Sequence, residues 1–400
     1  MQKGEIILKI LVIGNGFDLA HGLPTRYNEF LEFLILIDRM SSYPKSVTDF
    51  ISKQLKEFSG SNHIKQYIID LISRITEEFA RNNERAVLSY QNLGNIVKNS
   101  EDKVLQELIK HIKGNFWYKH FIKAKSYIDD GWIDFESEIS KVVKILDQYT
   151  IKGIFDQNEI VEKGIREILL SVSIRDETSR KCKIDEKVVL NLEEDLTKLI
   201  RSLEIFLEEC IGKVNIECIL PDIKNYKFDK ILSFNYTNTY EKVYEPKHNI
   251  FYDFIHGKAD ITRTIDENNM VLGIDEYLDS TQASLNTSFI FYKKYFQRIH
   301  KETGCEYKDW IEGIKRSKDV TELYIFGHSL DITDKDVLRE LIETKGVETT
   351  IFYYNKKVYA SQIANLVKVL GVDNLISRVH GNNRTINFKQ QQNPRMGTEL

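Results

Sequence analysis

Apolar and polar positions change texture twice along this chain. An almost continuous apolar run from Ile6 to Ile13 reads as a strand buried on both faces. Residues 25–37 follow with Phe30, Phe33, Leu34 and Ile37 on one helical face. Further stripes of helical period run through 46–80, 101–125 and 136–148. The clearest joins Val189, Leu192, Leu196, Leu199, Leu203 and Phe206. No proline falls between Pro44 and Pro221, so residues 30–225 read as mostly helix, broken near Gly60, Gly94, Gly114 and Gly131. Strand signals then return at 228–235, 250–255, 322–327 and 348–354, with a helical pattern over Thr281 to Arg298 between the second and the third.

Strands separated by helical stretches predict an α/β fold with a parallel sheet and crossover connections. The first strand needs partners for its backbone, so it belongs to the same sheet. The helices between are then one large all-helical insertion after the first strand–helix unit. The predicted division is 1–40 with 226–380 for the sheet domain, 41–225 for the insertion, and 381–400 as a flexible tail without an apolar face.

Composition narrows the class without deciding it. The 400 residues carry 56 Lys and Arg against 60 Asp and Glu, a net charge of −4 with both signs interspersed. No basic arm or stripe indicates nucleic acid. The first apolar run is too short to span a membrane, and no cleavage signal follows it. Cys182, Cys210, Cys218 and Cys305 show no C-x-x-C spacing and no neighbouring His cluster, so no zinc is expected and nothing demands disulfides. A reducing cytoplasm suits them.

Candidate chemistry sits where strands end. Gly14-Asn15-Gly16 follows the first strand directly, a turn in which bare backbone can approach a phosphate. The dinucleotide fingerprint G-x-G-x-x-G is not met, because its third glycine position holds Leu19, and the glycines alone are equally consistent with a tight turn that binds nothing. Asp18 would repel phosphate and suits a ribose hydroxyl or an amide. Asn235, His256, Gly327-His328-Ser329-Leu330-Asp331 and Asn355 follow the later strands. Ligands of open α/β sheets bind at these carboxyl ends. With no serine nucleophile elbow and no H-E-x-x-H, the set reduces to an amide, an imidazole and carboxylates. That set suits cleavage of an N-glycosidic bond with a good leaving group such as nicotinamide, with His256 as general base and Asn235 orienting ribose or water. Asp18, Asp134, Glu136, Asp331, Asp334 and Asp336 could instead gather around Mg²⁺ in a nuclease or nucleotide hydrolase. A third reading is a sensor that binds a nucleotide without turnover.

The segment Leu11-Val12-Ile13-Gly14-Asn15-Gly16-Phe17-Asp18-Leu19-Ala20-His21-Gly22-Leu23-Pro24-Thr25 resembles the opening of the AbiH abortive-infection family. Trp132-x-Asp134-x-Glu136, Ser233-Phe234-Asn235-Tyr236-Thr237, Ile255-His256-Gly257, Leu272-Gly273-Ile274-Asp275 and Phe326-Gly327-His328-Ser329-Leu330-x-x-x-Asp334 continue it in order. The resemblance implies a bacterial anti-phage role, with a phage-derived trigger and a homo-oligomer as the partners such a role brings.

A more distant similarity is to the SIR2-like (sirtuin-like) Rossmann fold, through the glycine turn, the Asn235 strand end, His256-Gly257 and Gly327-His328-Ser329. It implies NAD as substrate or ligand. Its contacts would fall on Gly14, Gly16, Asn235, Gly327, Ser329 and Asn355, with His256 catalytic. Asn15, Tyr236 and Asp331 complete the candidate contacts, and Asp18 joins His256 and Asn235 as a candidate catalytic residue. The acid expected after Asn-Tyr is Thr237 here, and Asp18 is the candidate to replace it. The four-cysteine zinc module of protein deacylases is absent from the sequence, which directs the expectation to NAD hydrolysis.

Overall fold

A computed structural model describes residues 7–392, apart from 83–90, 126–132, 157–159, 161, 176–180, 245–248, 277–288 and 383. Trp132 and residues 281–288 of the helix expected over Thr281 to Arg298 lie outside the described residues; in the remainder a 3-10 turn, Ile290–Tyr292, precedes a helix of Lys294–His300 only. Among the described residues, nine strands form two sheets: β1 (Leu8–Ile13), β2 (Ile154–Asp156), β3 (Ser173–Arg175), β4 (Lys181–Ile184), β5 (Lys230–Ser233), β6 (Phe251–Phe254), β7 (Thr321–Phe326), β8 (Val347–Tyr353) and β9 (Ile386–Gln390).

The larger sheet has the order β6-β5-β1-β7-β8-β9, and every neighbouring pair is parallel. This is the doubly wound, Rossmann-like arrangement, with β1 central and the order reversing between β1 and β7. The apolar run explains the central place. Ile10 and Val12 enter the core on one face, Leu11 and Ile13 the core on the other, and all four are at most 2% exposed. Burying each such side chain contributes roughly 1.5–3 kcal/mol. Register then aligns the strand ends: Ile13 pairs with Ser233 and with Phe326, and Ser233 with Phe254. Gly14, Asn235, His256 and Gly327 therefore leave the sheet along one edge.

Between β1 and β5 the helices form a separate core. The stripe read from the sequence lies on the helix Glu186–Ile205, where Leu192, Leu196, Leu199 and Leu203 are buried. The helix Tyr27–Ser41, counted with the sheet domain above, buries Phe30, Phe33, Leu34 and Ile37 in this helical core instead. The insertion also contains a small antiparallel sheet, β2-β4-β3. Its strands are too short to leave a periodic signal. Among the described residues, no helix is long and apolar enough to cross a membrane.

The tail expected over 381–400 is corrected for its first part. Ile386–Gln390 is β9 and pairs with Thr349–Tyr353 of β8. An edge strand needs only a few apolar contacts, here buried Ile386 and half-buried Phe388. Lys389 within β9 pairs with Asp222 at 3.2 Å, and beyond the strand the Gln392 amide donates to Asp222 at 2.6 Å.

Candidate functional site

The glycine turn packs backbone against backbone. A Cβ on Gly14 would lie 2.8 Å from the Cα of His328, and one on Gly16 2.8 Å from the Cα of Gly327. The Gly16 amide donates to the Gly327 carbonyl at 2.8 Å, the Gly14 amide to Phe326 at 3.2 Å, and the Phe17 amide to Gly14 at 2.8 Å. These three amides have partners inside the protein. The glycines let the β1 and β7 turns touch at the switch point and so shape the floor of the site. The helix that follows directly is the short Asn15–Ala20.

Asn235 bridges strand ends, its amide donating to the Gly14 carbonyl at 3.0 Å. The Thr237 hydroxyl donates to Asp18 at 2.6 Å, which joins the end of β5 to the segment after β1. Asp18 is 1% exposed, and its second oxygen, Oδ1, has no hydrogen-bond partner among the described residues. Burial pushes its carboxyl up to about 6, against the pull of Thr237, Thr239 and Asn235. Thr237 and Thr239 also line a cleft between the sheet edge and Leu207, Glu208 and Ile211 of the helical insertion.

On the other side of Asn235, one carboxylate gathers two imidazoles. Asp334 Oδ1 lies 3.3 Å from His256 Nε2, and its Oδ2 lies 3.4 Å from His328 Nε2. Lys294 reaches the same Oδ1 at 3.1 Å and Glu136, from the helical insertion, at 2.8 Å. His256, His328 and Lys294 are each at most 6% exposed.

A model of the family "Bacteriophage abortive infection AbiH" matches residues 10–355. The chain belongs to the AbiH family. Membership places it among proteins of abortive infection, the anti-phage response. Among curated proteins and among solved structures, nothing matches the chain.

The match covers every segment that builds the AbiH site described above, and the electrostatics of that site follow from its burial. Burial and the Lys294 ammonium push the His256 imidazole down to about 4, against the pull of Asp334, so it is neutral at pH 7. Its Nδ1 is buried and has no hydrogen-bond partner among the described residues. Lys294 is one cation between two carboxylates. Asp334, which also has two imidazoles, stays well below the usual carboxylate range, whereas burial and repulsion from Asp334 push Glu136 up to about 7.

The remaining sequence candidates divide. Tyr236 donates its hydroxyl to the Val271 carbonyl at 2.8 Å, and Asn15 accepts from Thr25 at 2.6 Å. Ser329 is exposed. Asp331 caps the turn Ile332–Asp334 by accepting from the Thr333 amide at 3.1 Å. Asn355 is exposed and caps the helix Lys356–Leu370 through the Val358 amide at 3.0 Å. Asp134 caps the helix Phe135–Lys152. Asp334 occupies the N-cap position of the helix Lys335–Glu343 but makes no side-chain cap bond, because its carboxylate turns to the histidines.

Sequence reasoning missed Lys294 and the joint role of His328 and Asp334. The spacing of His328 and Asp334 within one motif was the available signal. Lys294 had none, being one lysine among many.

Proposed function

We propose that this AbiH protein cleaves NAD to nicotinamide and ADP-ribose as its defence activity. The observation that carries the reading is His256: a neutral imidazole with an unpartnered ring nitrogen, at a strand end of a doubly wound parallel sheet. Nucleotides bind along that edge in such folds. In the reaction, a water oxygen bonds to C1′ of the nicotinamide ribose. The C1′–N bond breaks and its electron pair neutralises the pyridinium ring, so nicotinamide leaves without needing a proton. The proton lost by water passes to His256, a step worth about 10²–10⁴-fold. Asn235, fixed to Gly14, is placed to orient ribose or water. Asp18 offers a buried acceptor oxygen to a ribose hydroxyl or carboxamide. The likeness of the motif order to SIR2-like proteins supports the same substrate.

Two other readings are weaker. The carboxylates considered for Mg²⁺ do not converge on an open centre: Glu136 and Asp334 already share the Lys294 ammonium. A nucleotide-binding sensor is favoured by the deep burial of His256. Purified protein incubated with NAD, read for nicotinamide and ADP-ribose, separates the sensor from the enzyme. Release of both products that His256→Ala abolishes is expected. Tight NAD binding without products would favour the sensor.

A further inference from the structure

We propose that Asp334 is the positioning residue of His256, fixing its imidazole as the Nε2–H tautomer and leaving Nδ1 as the nitrogen that takes the proton. This rests on the reading of His256 as general base and adds which atom acts and what sets it.

The argument starts at His328. Its Nδ1 accepts the Leu330 amide at 2.9 Å, so its own hydrogen is on Nε2, which lies 3.4 Å from Asp334 Oδ2. Asp334 is kept ionised by Lys294, and an ionised carboxylate only accepts. His256 Nε2, 3.3 Å from Oδ1, must therefore carry hydrogen as well. A neutral imidazole holds one N–H, so His256 Nδ1 is bare. It is the buried nitrogen that has no hydrogen-bond partner among the described residues. When water attacks C1′, its proton goes to Nδ1. The imidazolium that results faces Asp334 through Nε2–H, which offsets the opposing charge of Lys294.

Asp334→Asn tests the logic while changing little volume. Asparagine offers one acceptor and one donor group where aspartate offers two acceptors. His328 keeps Nε2–H because Leu330 occupies its other nitrogen, so it takes the amide oxygen. His256 then faces the NH₂ group and must move its hydrogen to Nδ1, which removes the base.

The measurement is ¹⁵N NMR of the histidine ring nitrogens in the full chain. In the wild type, the signals of His256, assigned by loss in His256→Gln, are expected to show Nε2 protonated and Nδ1 bare. In Asp334→Asn they reverse, NAD cleavage falls about 10²–10⁴-fold in kcat with a much smaller change in KM, and Asp334→Glu restores part of the rate. Hydrogen on Nδ1 in the wild type overturns the proposal. So does an Asp334→Asn protein with the wild-type tautomer and rate. If Asp334→Asn does not fold, the wild-type tautomer alone decides. If the tautomer is as expected and reverses in the variant while neither protein cleaves NAD, Asp334 still positions His256 and the NAD reading fails.

Discussion

At the scale of single residues, the site keeps groups in protonation states that water would not favour. Asp18 is the clearest case. Its carboxyl ionises near 6 in the folded chain against an ordinary value of 3.8. The native state then binds more protons than the unfolded chain between those values, so stability is highest below about pH 4 and falls as pH rises to about 6. The shift corresponds to about 3 kcal/mol at neutral pH. Asp18→Asn removes the ionised form and can still accept the Thr237 hydroxyl. The variant is expected to be more stable than the wild type at pH 7, by up to about 3 kcal/mol, with the difference gone at pH 4 and NAD cleavage reduced. Urea unfolding at both pH values checks it, and a variant less stable at pH 7 would contradict the burial account. His256 has the opposite sign. Its folded value lies near 4, below the ordinary 6.5, so its contribution is lost as pH falls from about 6.5 toward 4. Asn235, His256 and Asp18 were legible in the sequence because each follows an apolar strand run. Lys294 was not, since only the fold brings it between Glu136 and Asp334.

At the scale of elements, the glycine turn changes meaning. From sequence a phosphate cradle and an empty tight turn were equally open, because a strand followed by two glycines fits both a ligand and a close backbone contact. Neighbouring strands decide between them, and β7 comes from far along the chain. Gly16→Ala is expected to lower stability by about 1–3 kcal/mol, since the added carbon meets the Gly327 backbone rather than a movable side chain. Thermal unfolding measures this, and an unchanged Tm would show that the two turns can part. The five strands with strong apolar runs were read near their observed ends. β9 was not, because an edge strand with one buried and one half-buried hydrophobic residue resembles a polar tail. β2, β3 and β4 escaped for the same reason, being three or four residues long.

At the scale of the molecule, the helical insertion is tied to the sheet beside the candidate base. Glu136 at the start of one insertion helix reaches Lys294, and Glu204 of another accepts the Asp260 amide at 3.0 Å in the segment after β6. Lys294→Met removes the cation and leaves two carboxylates buried together. A loss of roughly 3–5 kcal/mol is expected in denaturant unfolding at pH 7, shrinking in Glu136→Gln/Lys294→Met because one carboxylate is gone. Equal losses in the single and double variants would show that Glu136 does not depend on Lys294. That an insertion existed was plain from the change of periodicity. That Glu136 reaches the sheet's carboxyl edge through Lys294 was not, since the sequence offered it only as a metal-binding candidate and gave Lys294 no signal.

The central claim is that this AbiH protein destroys NAD at His256. The most direct measurement is the NAD content of phage-infected cells carrying either the wild-type protein or a His256→Ala variant of equal abundance. The account predicts a fall in NAD with release of nicotinamide in wild-type cells and neither in the variant. Wild-type cells that resist phage while their NAD stays level would contradict it.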